Sequence, residues 1–170
     1  MSQLVGADKL ISKFKCLSSR HQTEIMGMAV HNAAKNVVQA DAKLRASVNE
    51  GDLRAGIKVR MSKSDKPKAE VASTSDHGGF VELGTGPKGA ANHAGIAPDV
   101  GVSYRNTPWY VHESQIEVGP YRFQKNGEFY KMYGQAAQPY LYPALKDNEE
   151  RVTKAISSYV RRKLKEGISK

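Results

Sequence analysis

The stretch Gly84-Thr85-Gly86-Pro87-Lys88-Gly89 most invites a chemical reading, because a glycine-rich turn beside a lysine can cradle phosphate. A phosphate-binding loop requires glycine, four residues, Gly-Lys and then Ser or Thr. Here Gly79 and Gly84 have the interval, but Thr85 stands where lysine is required, and Pro87 removes one of the amides such a loop would use. The five histidines, His21, His31, His77, His93 and His112, show no paired metal spacing and have no cysteine companions. Cys16 falls within one residue of an apolar helix face, where a packed, inert thiol is expected rather than a nucleophile. Glu82, two residues before Gly84-Thr85-Gly86, is the one candidate general base, and no acid, nucleophile or ligand partner accompanies it. Its carboxylate is expected to accept hydrogen bonds from amides of the glycine turn or to pair across a subunit boundary. The residue pattern therefore predicts no catalytic group, no cofactor and no metal.

A chain of 170 residues suits one domain with a core of its own. A single cysteine forbids an intramolecular disulfide and suits a reducing compartment. No apolar run reaches membrane-spanning length, and Met1-Ser2-Gln3-Leu4-Val5-Gly6 lacks the blocks of a signal peptide, so a soluble protein that stays in its cell is expected. The net charge of +9 is uneven: residues 54–68 carry six cations and one anion, and residues 151–170 carry seven cations and one anion. Either cluster, with Arg54, Lys58 and Arg60 in the first and Arg161, Arg162 and Lys163 in the second, suits DNA or an acidic protein surface. The C-terminal cluster equally suits a solvated helix face.

The elements that must position these residues are legible as periodicity. Leu10, Ile11, Phe14 and Leu17 predict a short amphipathic helix over 8–17, with Asp8 as a cap. A longer helix is expected over 22–44, with Ile25, Ala29, Ala33, Val37, Ala40 and Leu44 forming one stripe of mostly small side chains. After the turn at Asn49-Glu50-Gly51-Asp52, Ile57, Val59 and Met61 alternate with Lys58, Arg60 and Ser62. Ala69, Val71 and Ser73 repeat the alternation beyond Ser64-Asp65-Lys66-Pro67, predicting an antiparallel hairpin. Val81-Glu82-Leu83 reads as a half-buried strand ending in the glycine turn. Residues 86–115 are rich in glycine, proline and asparagine and are expected to form a long loop. It carries Tyr104, Trp109 and Tyr110, which either dock on a partner or, for Trp109, fold back beside the core. Ile116 and Val118 suggest a strand leading into an aromatic segment through 142. A closing helix starts near Pro143 and runs to about 166, with Leu145, Asn148, Val152, Ile156, Tyr159, Val160 and Leu164 on one face. The sum is an α+β domain over 1–170: N-terminal helices (1–46), a hairpin and glycine turn (54–85) within an antiparallel sheet of about four strands, and a C-terminal helix (143–166) packed on that sheet.

Three elements occur in a telling order: Ser47-Val48-Asn49-Glu50-Gly51-Asp52-Leu53-Arg54-Ala55-Gly56-Ile57, then Gly78-Gly79-Phe80-Val81-Glu82-Leu83-Gly84-Thr85, then Gly134-Gln135-Ala136-Ala137-Gln138-Pro139-Tyr140-Leu141-Tyr142-Pro143-Ala144. They resemble the Pro-x-x-Thr-Gly-x-Leu-Arg-x-Ser-Ile, Tyr-Ala-x-x-Val-Glu-Phe-Gly-Thr and Gly-x-x-Ala-x-Pro-Phe-Leu-x-Pro-Ala elements of the head–tail component family of long-tailed (siphophage-type) bacteriophages. This is the gp-ten-like family of HK-type lambdoid phages. Ser47 and Glu50 stand where that pattern has Pro and Thr, Gly56 replaces Ser, and Gly78-Gly79 replaces Tyr-Ala. The resemblance implies a non-enzymatic virion protein of the head–tail junction, assembled in the host cytoplasm as a ring, commonly six-fold, between head-closure, tail-terminator or tail-tube neighbours, with packaged DNA passing through. It implies fold and subunit-contact roles for Gly51, Leu53, Arg54, Glu82, Gly84, Thr85, Gly86, Pro139 and Pro143. A tail terminator ring and a basic DNA-binding protein are the rival readings.

Overall fold

Small apolar residues at every fourth position begin the first long helix and also reveal where it departs from ideal geometry. In the computed structural model, which describes residues 19–47, 51–62, 66–91, 100–116 and 123–168, three segments follow without interruption. They are α1 (Ser19–Ala33), a π-helical segment (Ala34–Gln39) and α2 (Ala40–Arg45). Ile25, Ala29 and Ala33 are buried as their spacing predicts. Beyond them the stripe moves to Ala34, Val38, Ala42 and Ala46, leaving Val37 half-buried, Ala40 exposed and Leu44 78% exposed. The π segment is the reason: each i→i+5 hydrogen bond adds a residue to the turn, so the apolar face resumes one to two positions later. The helix expected over 8–17, with Cys16, lies outside the described residues.

Gly51, with φ +88°, precedes the short helix α3 (Asp52–Gly56), whose Leu53 is buried. The predicted hairpin follows as β1 (Ile57–Met61) and β2 (Ala69–Ser73), antiparallel with Val59 opposite Val71. Its inner face rests on the π segment, where the Gln39 side-chain amide donates to the Ile57 carbonyl at 2.7 Å. Next come two short helices, α4 (Gly78–Leu83) and α5 (Gly86–Ala90). The stretch Val81-Glu82-Leu83 is therefore helical, not the strand that its apolar alternation suggests. The loop expected over 86–115 contains α5, strand β3 (Trp109–His112) and a 3-10 turn (Glu113–Gln115). Ile116 only closes that turn, and Val118 lies outside the described residues.

The aromatic segment supplies β4 (Gln124–Asn126) and β5 (Phe129–Met132), and β5 lies between β3 and β4 in a second antiparallel sheet. Five described strands thus divide into sheets of two and three, where the sequence suggested a single sheet of about four. The closing helix is likewise split, into α6 (Tyr142–Lys146) and α7 (Glu149–Ile168). α7 lies chiefly along α1 rather than on a sheet; the Tyr159 hydroxyl lies 3.6 Å from the Met28 sulfur. The α+β class, with helices at both ends and antiparallel pairing between, is as read. One core joins the elements: Val38, Ala42 and Ala46 of the first helix meet Leu53, Ile57, Tyr140 and Ala144. None of the described helices is long and apolar enough to cross a membrane.

Candidate subunit-contact site

Glu82 reaches its position because α4 is a helix. Gly78 and Glu82, four residues apart, share a face, and both meet Tyr140. The Tyr140 hydroxyl donates to the Gly78 carbonyl at 3.3 Å, while its backbone N–H donates to Glu82 Oε2 at 2.7 Å. Leu141 N–H donates to the same oxygen at 2.8 Å, and Tyr142 N–H donates to Oε1 at 2.8 Å. These amides lead into α6, where helix geometry leaves N–H groups without intrahelical acceptors, and Pro143 next to them has no N–H to satisfy. Glu82 as a whole is 8% exposed. Such burial is tolerable because three charge-assisted hydrogen bonds replace its water. Glu82 is thus a clasp on residues 140–142, not the acceptor for the glycine turn that its sequence position suggested. Tyr140 is fully buried beneath it, and burial pushes its phenol above the ordinary value; a hydrogen bond from Ser73 opposes the shift and the Glu82 charge adds to it.

The same two stretches are joined again around the glycine turn. Gln138 N–H donates to the Val81 carbonyl at 2.8 Å, Thr85 N–H to the Gln135 carbonyl at 2.9 Å, and the Gln135 side-chain amide to the Phe80 carbonyl at 2.8 Å. Gln135 N–H in turn donates to Thr85 Oγ1 at 3.1 Å. Backbones this close exclude side chains. A Cβ on Gly84, where φ is +75°, would lie 2.7 Å from the Ala137 nitrogen. One on Gly134, where φ is +79°, would overlap the Thr85 carbonyl.

Two of the three candidate aromatic anchors cover this crossing. Trp109 lies over Gly86, with its ring 2.9 Å from where a Cβ would stand, and the Tyr104 hydroxyl donates to the Leu83 carbonyl at 2.8 Å. The Arg105 guanidinium lies 5.7 Å from the Trp109 ring centroid. Tyr110, on the opposite face of β3, is 54% exposed. Beside the crossing opens a groove of about 530 Å³, with the glycine turn along its floor and Phe80, Tyr104 and Trp109 on its walls. Phe80 is itself largely exposed.

The remaining predicted residues are spread across the molecule. Leu53 is in the core, and Arg54 extends to the Ala46 carbonyl at the end of α2 (3.4 Å), with its Nε buried and unpartnered among the described residues. Pro139 is half-buried just before Tyr140. Lys58 and Arg60 stand on the exposed face of β1. Arg161, Arg162 and Lys163 lie far along α7, where Lys163 and Arg162 pair with Glu166 at 2.6 and 3.9 Å. The first basic cluster is thus divided, with Arg54 on α3 and Lys58 and Arg60 on the ribbon, while the second lies on the long helix. No group of three or more His, Cys, Asp or Glu side chains among the described residues could hold a metal ion.

Sequence reading missed Asn148 as a polar hub. Only 4% exposed, its amide donates to the Asp41 carboxylate (2.9 Å) and the Ala144 carbonyl (3.0 Å) and its oxygen accepts from Arg151 (2.6 Å). Arg45 bridges Asp41 and Asp147, both at 2.8 Å, so the break between α6 and α7 is tied to the end of α2. The available signal was an amide within the apolar face of the last helix.

Residues 8–84 match the family HK97-gp10_like, described as "Bacteriophage HK97-gp10, putative tail-component". That stretch contains the first two of the three sequence elements up to Gly84, and the third lies beyond it. No curated protein and no solved structure matches the chain.

Proposed function

From the match of residues 8–84 to a phage tail-component family, we propose that this protein is a structural subunit of the head–tail junction in a long-tailed bacteriophage. Its role is that of a neck or tail-completion ring, built of copies of itself between head-closure and tail-terminator or tail-tube proteins. The family match is the observation that carries this reading, and the clasp adds to it. Glu82, inside the matched stretch, holds residues 140–142, outside it, so both parts form one framework. Both of its carboxylate oxygens are engaged by backbone amides, which suits a group that holds shape. A subunit of a closed ring needs different faces for its two neighbours. Leu44, Phe80, Tyr110 and Leu145, exposed apolar side chains on separate elements, are candidates for those faces.

Electron microscopy of a lysate from a phage or induced prophage lacking the gene tests the proposal. DNA-filled heads beside separate tails of normal length are expected. Tails of uncontrolled length would move the protein to the terminator position, and intact virions would refute a structural role.

A further inference from the structure

The sequence offers two basic clusters, the second of which equally suits a solvated helix face, and the structure distinguishes them. On α7, Lys154 lies 3.8 Å from Glu150, Lys163 lies 2.6 Å from Glu166, and Arg162 is shared between Glu166 at 3.9 Å and the Tyr159 ring, 5.1 Å from its centroid. Lys154, Arg162 and Lys163 are thus answered by the helix itself, whereas Arg161 has no carboxylate partner among the described residues. On the β1–β2 ribbon the balance differs. Lys58 and Arg60 are exposed on one face, opposite Ala72 and Glu70. Glu70 is taken by Lys68 at 3.1 Å, and neither Lys58 nor Arg60 has a carboxylate partner among the described residues.

Two further properties of this face indicate what it binds. Positions 58 and 60 are two strand residues apart, so the cations project side by side, roughly 7 Å apart along the strand. The face also lacks an apolar anchor: its four positions are lysine, arginine, glutamate and alanine, while Ile57, Val59 and Val71 turn toward the core. Protein interfaces rely on buried aromatic or aliphatic side chains at their centre. Phosphate backbones require only cations at regular intervals, and a two-stranded ribbon fits a DNA groove.

We infer that the β1–β2 ribbon is a sequence-independent contact for duplex DNA, with Lys58 and Arg60 reaching phosphates. The inference deepens the junction reading, which supplies packaged DNA as the natural ligand; the contact itself can be measured apart from it. Backbone-only recognition would hold the duplex without regard to the sequence passing the ribbon.

The test uses the full chain, a fluorescein-labelled duplex of random sequence and anisotropy across a sodium chloride series. Lys58→Glu with Arg60→Glu should weaken binding at low salt by on the order of tenfold or more and reduce the log–log salt slope by about 2. Arg161→Glu with Arg162→Glu makes the same change in net charge and should shift affinity by less than about threefold. Lys58→Gln with Arg60→Gln, a milder pair, should fall between wild type and the charge reversal, with the circular dichroism spectrum unchanged. Equal losses from the ribbon and helix pairs would overturn the inference, since net charge alone would then explain binding. So would absence of duplex binding by the wild type, or preferential capture of polyglutamate. Intact virions from the gene-deleted phage would defeat the junction reading without altering these affinity ratios, so the two failures are separable.

Discussion

At the scale of single residues, Glu82 and Tyr140 carry opposite halves of one argument: a buried charge must be fully hydrogen-bonded, and a buried phenol must remain neutral. Glu82→Gln replaces one acceptor oxygen with an NH₂ group that faces a backbone donor. Disrupting such a buried, charge-assisted cluster should cost roughly 3 kcal/mol. For a chain of this size that lowers Tm by roughly 6–12 °C in a calorimetric scan. A shift under about 2 °C would mean that the clasp is incidental. Tyr140 makes folding sensitive to alkaline pH. Because burial raises its pKa in the folded state, that state keeps a proton which the unfolded chain releases. The contribution is therefore intact below the unfolded value of about 10 and is lost as pH rises beyond it. Denaturant melts above that pH should show the decline, and Tyr140→Phe should flatten it while removing the late-titrating phenol from the ultraviolet titration. A titration of all eight tyrosines at the ordinary value would contradict this account.

Between elements, the decisive contact is the crossing of the glycine turn with residues 134–138, a junction of backbones rather than side chains. Gly134→Ala would set a methyl against the Thr85 carbonyl at a left-handed φ, whereas Gly127, also left-handed at φ +60°, has nothing within 4 Å of its missing Cβ. Gly127→Ala should therefore cost only conformational strain, about 1 kcal/mol, and Gly134→Ala clearly more, about 3 kcal/mol or loss of folding. Equal melting temperatures for the two variants would show that the crossing is loose. This contrast also explains how much could be read from the sequence. The hairpin was legible because Ile57, Val59 and Val71 alternate with polar neighbours, and the helices because their apolar spacing is regular. The helical state of residues 78–83 was not: over so short a run, Phe80, Val81 and Leu83 suit either period, and the contact with Tyr140 about sixty residues away selects the helix. The shift from Val37, Ala40 and Leu44 to Val38, Ala42 and Ala46 was hidden for a related reason, since a π segment has no local sequence signature. Glu82 was visible as an isolated carboxylate, but its acceptor role became specific only when the chain returned at Tyr140.

For the whole molecule, the displaced helix stripe has a consequence for assembly. Leu44 would be a core residue in an uninterrupted α-helix, yet it is 78% exposed. A leucine already in water contributes little to the stability of its own chain, so Leu44→Ser should change folding stability by no more than about 0.5 kcal/mol. The proposed ring would give it a different use. Buried against a neighbour, the side chain would contribute roughly 1.5–3 kcal/mol, on the order of tenfold to a hundredfold at each interface. Because a closed ring repeats that contact at every boundary, the loss recurs around the circle. Complementing a gene-deleted phage with the Leu44→Ser protein should therefore lower the titre at least on the order of tenfold, while the purified variant melts within about 2 °C of wild type. Unchanged titre would remove Leu44 from any subunit boundary. A large fall in Tm would place it in a packing role within its own chain, and only normal folding with impaired assembly fits an interface residue exposed by the turn of the π segment.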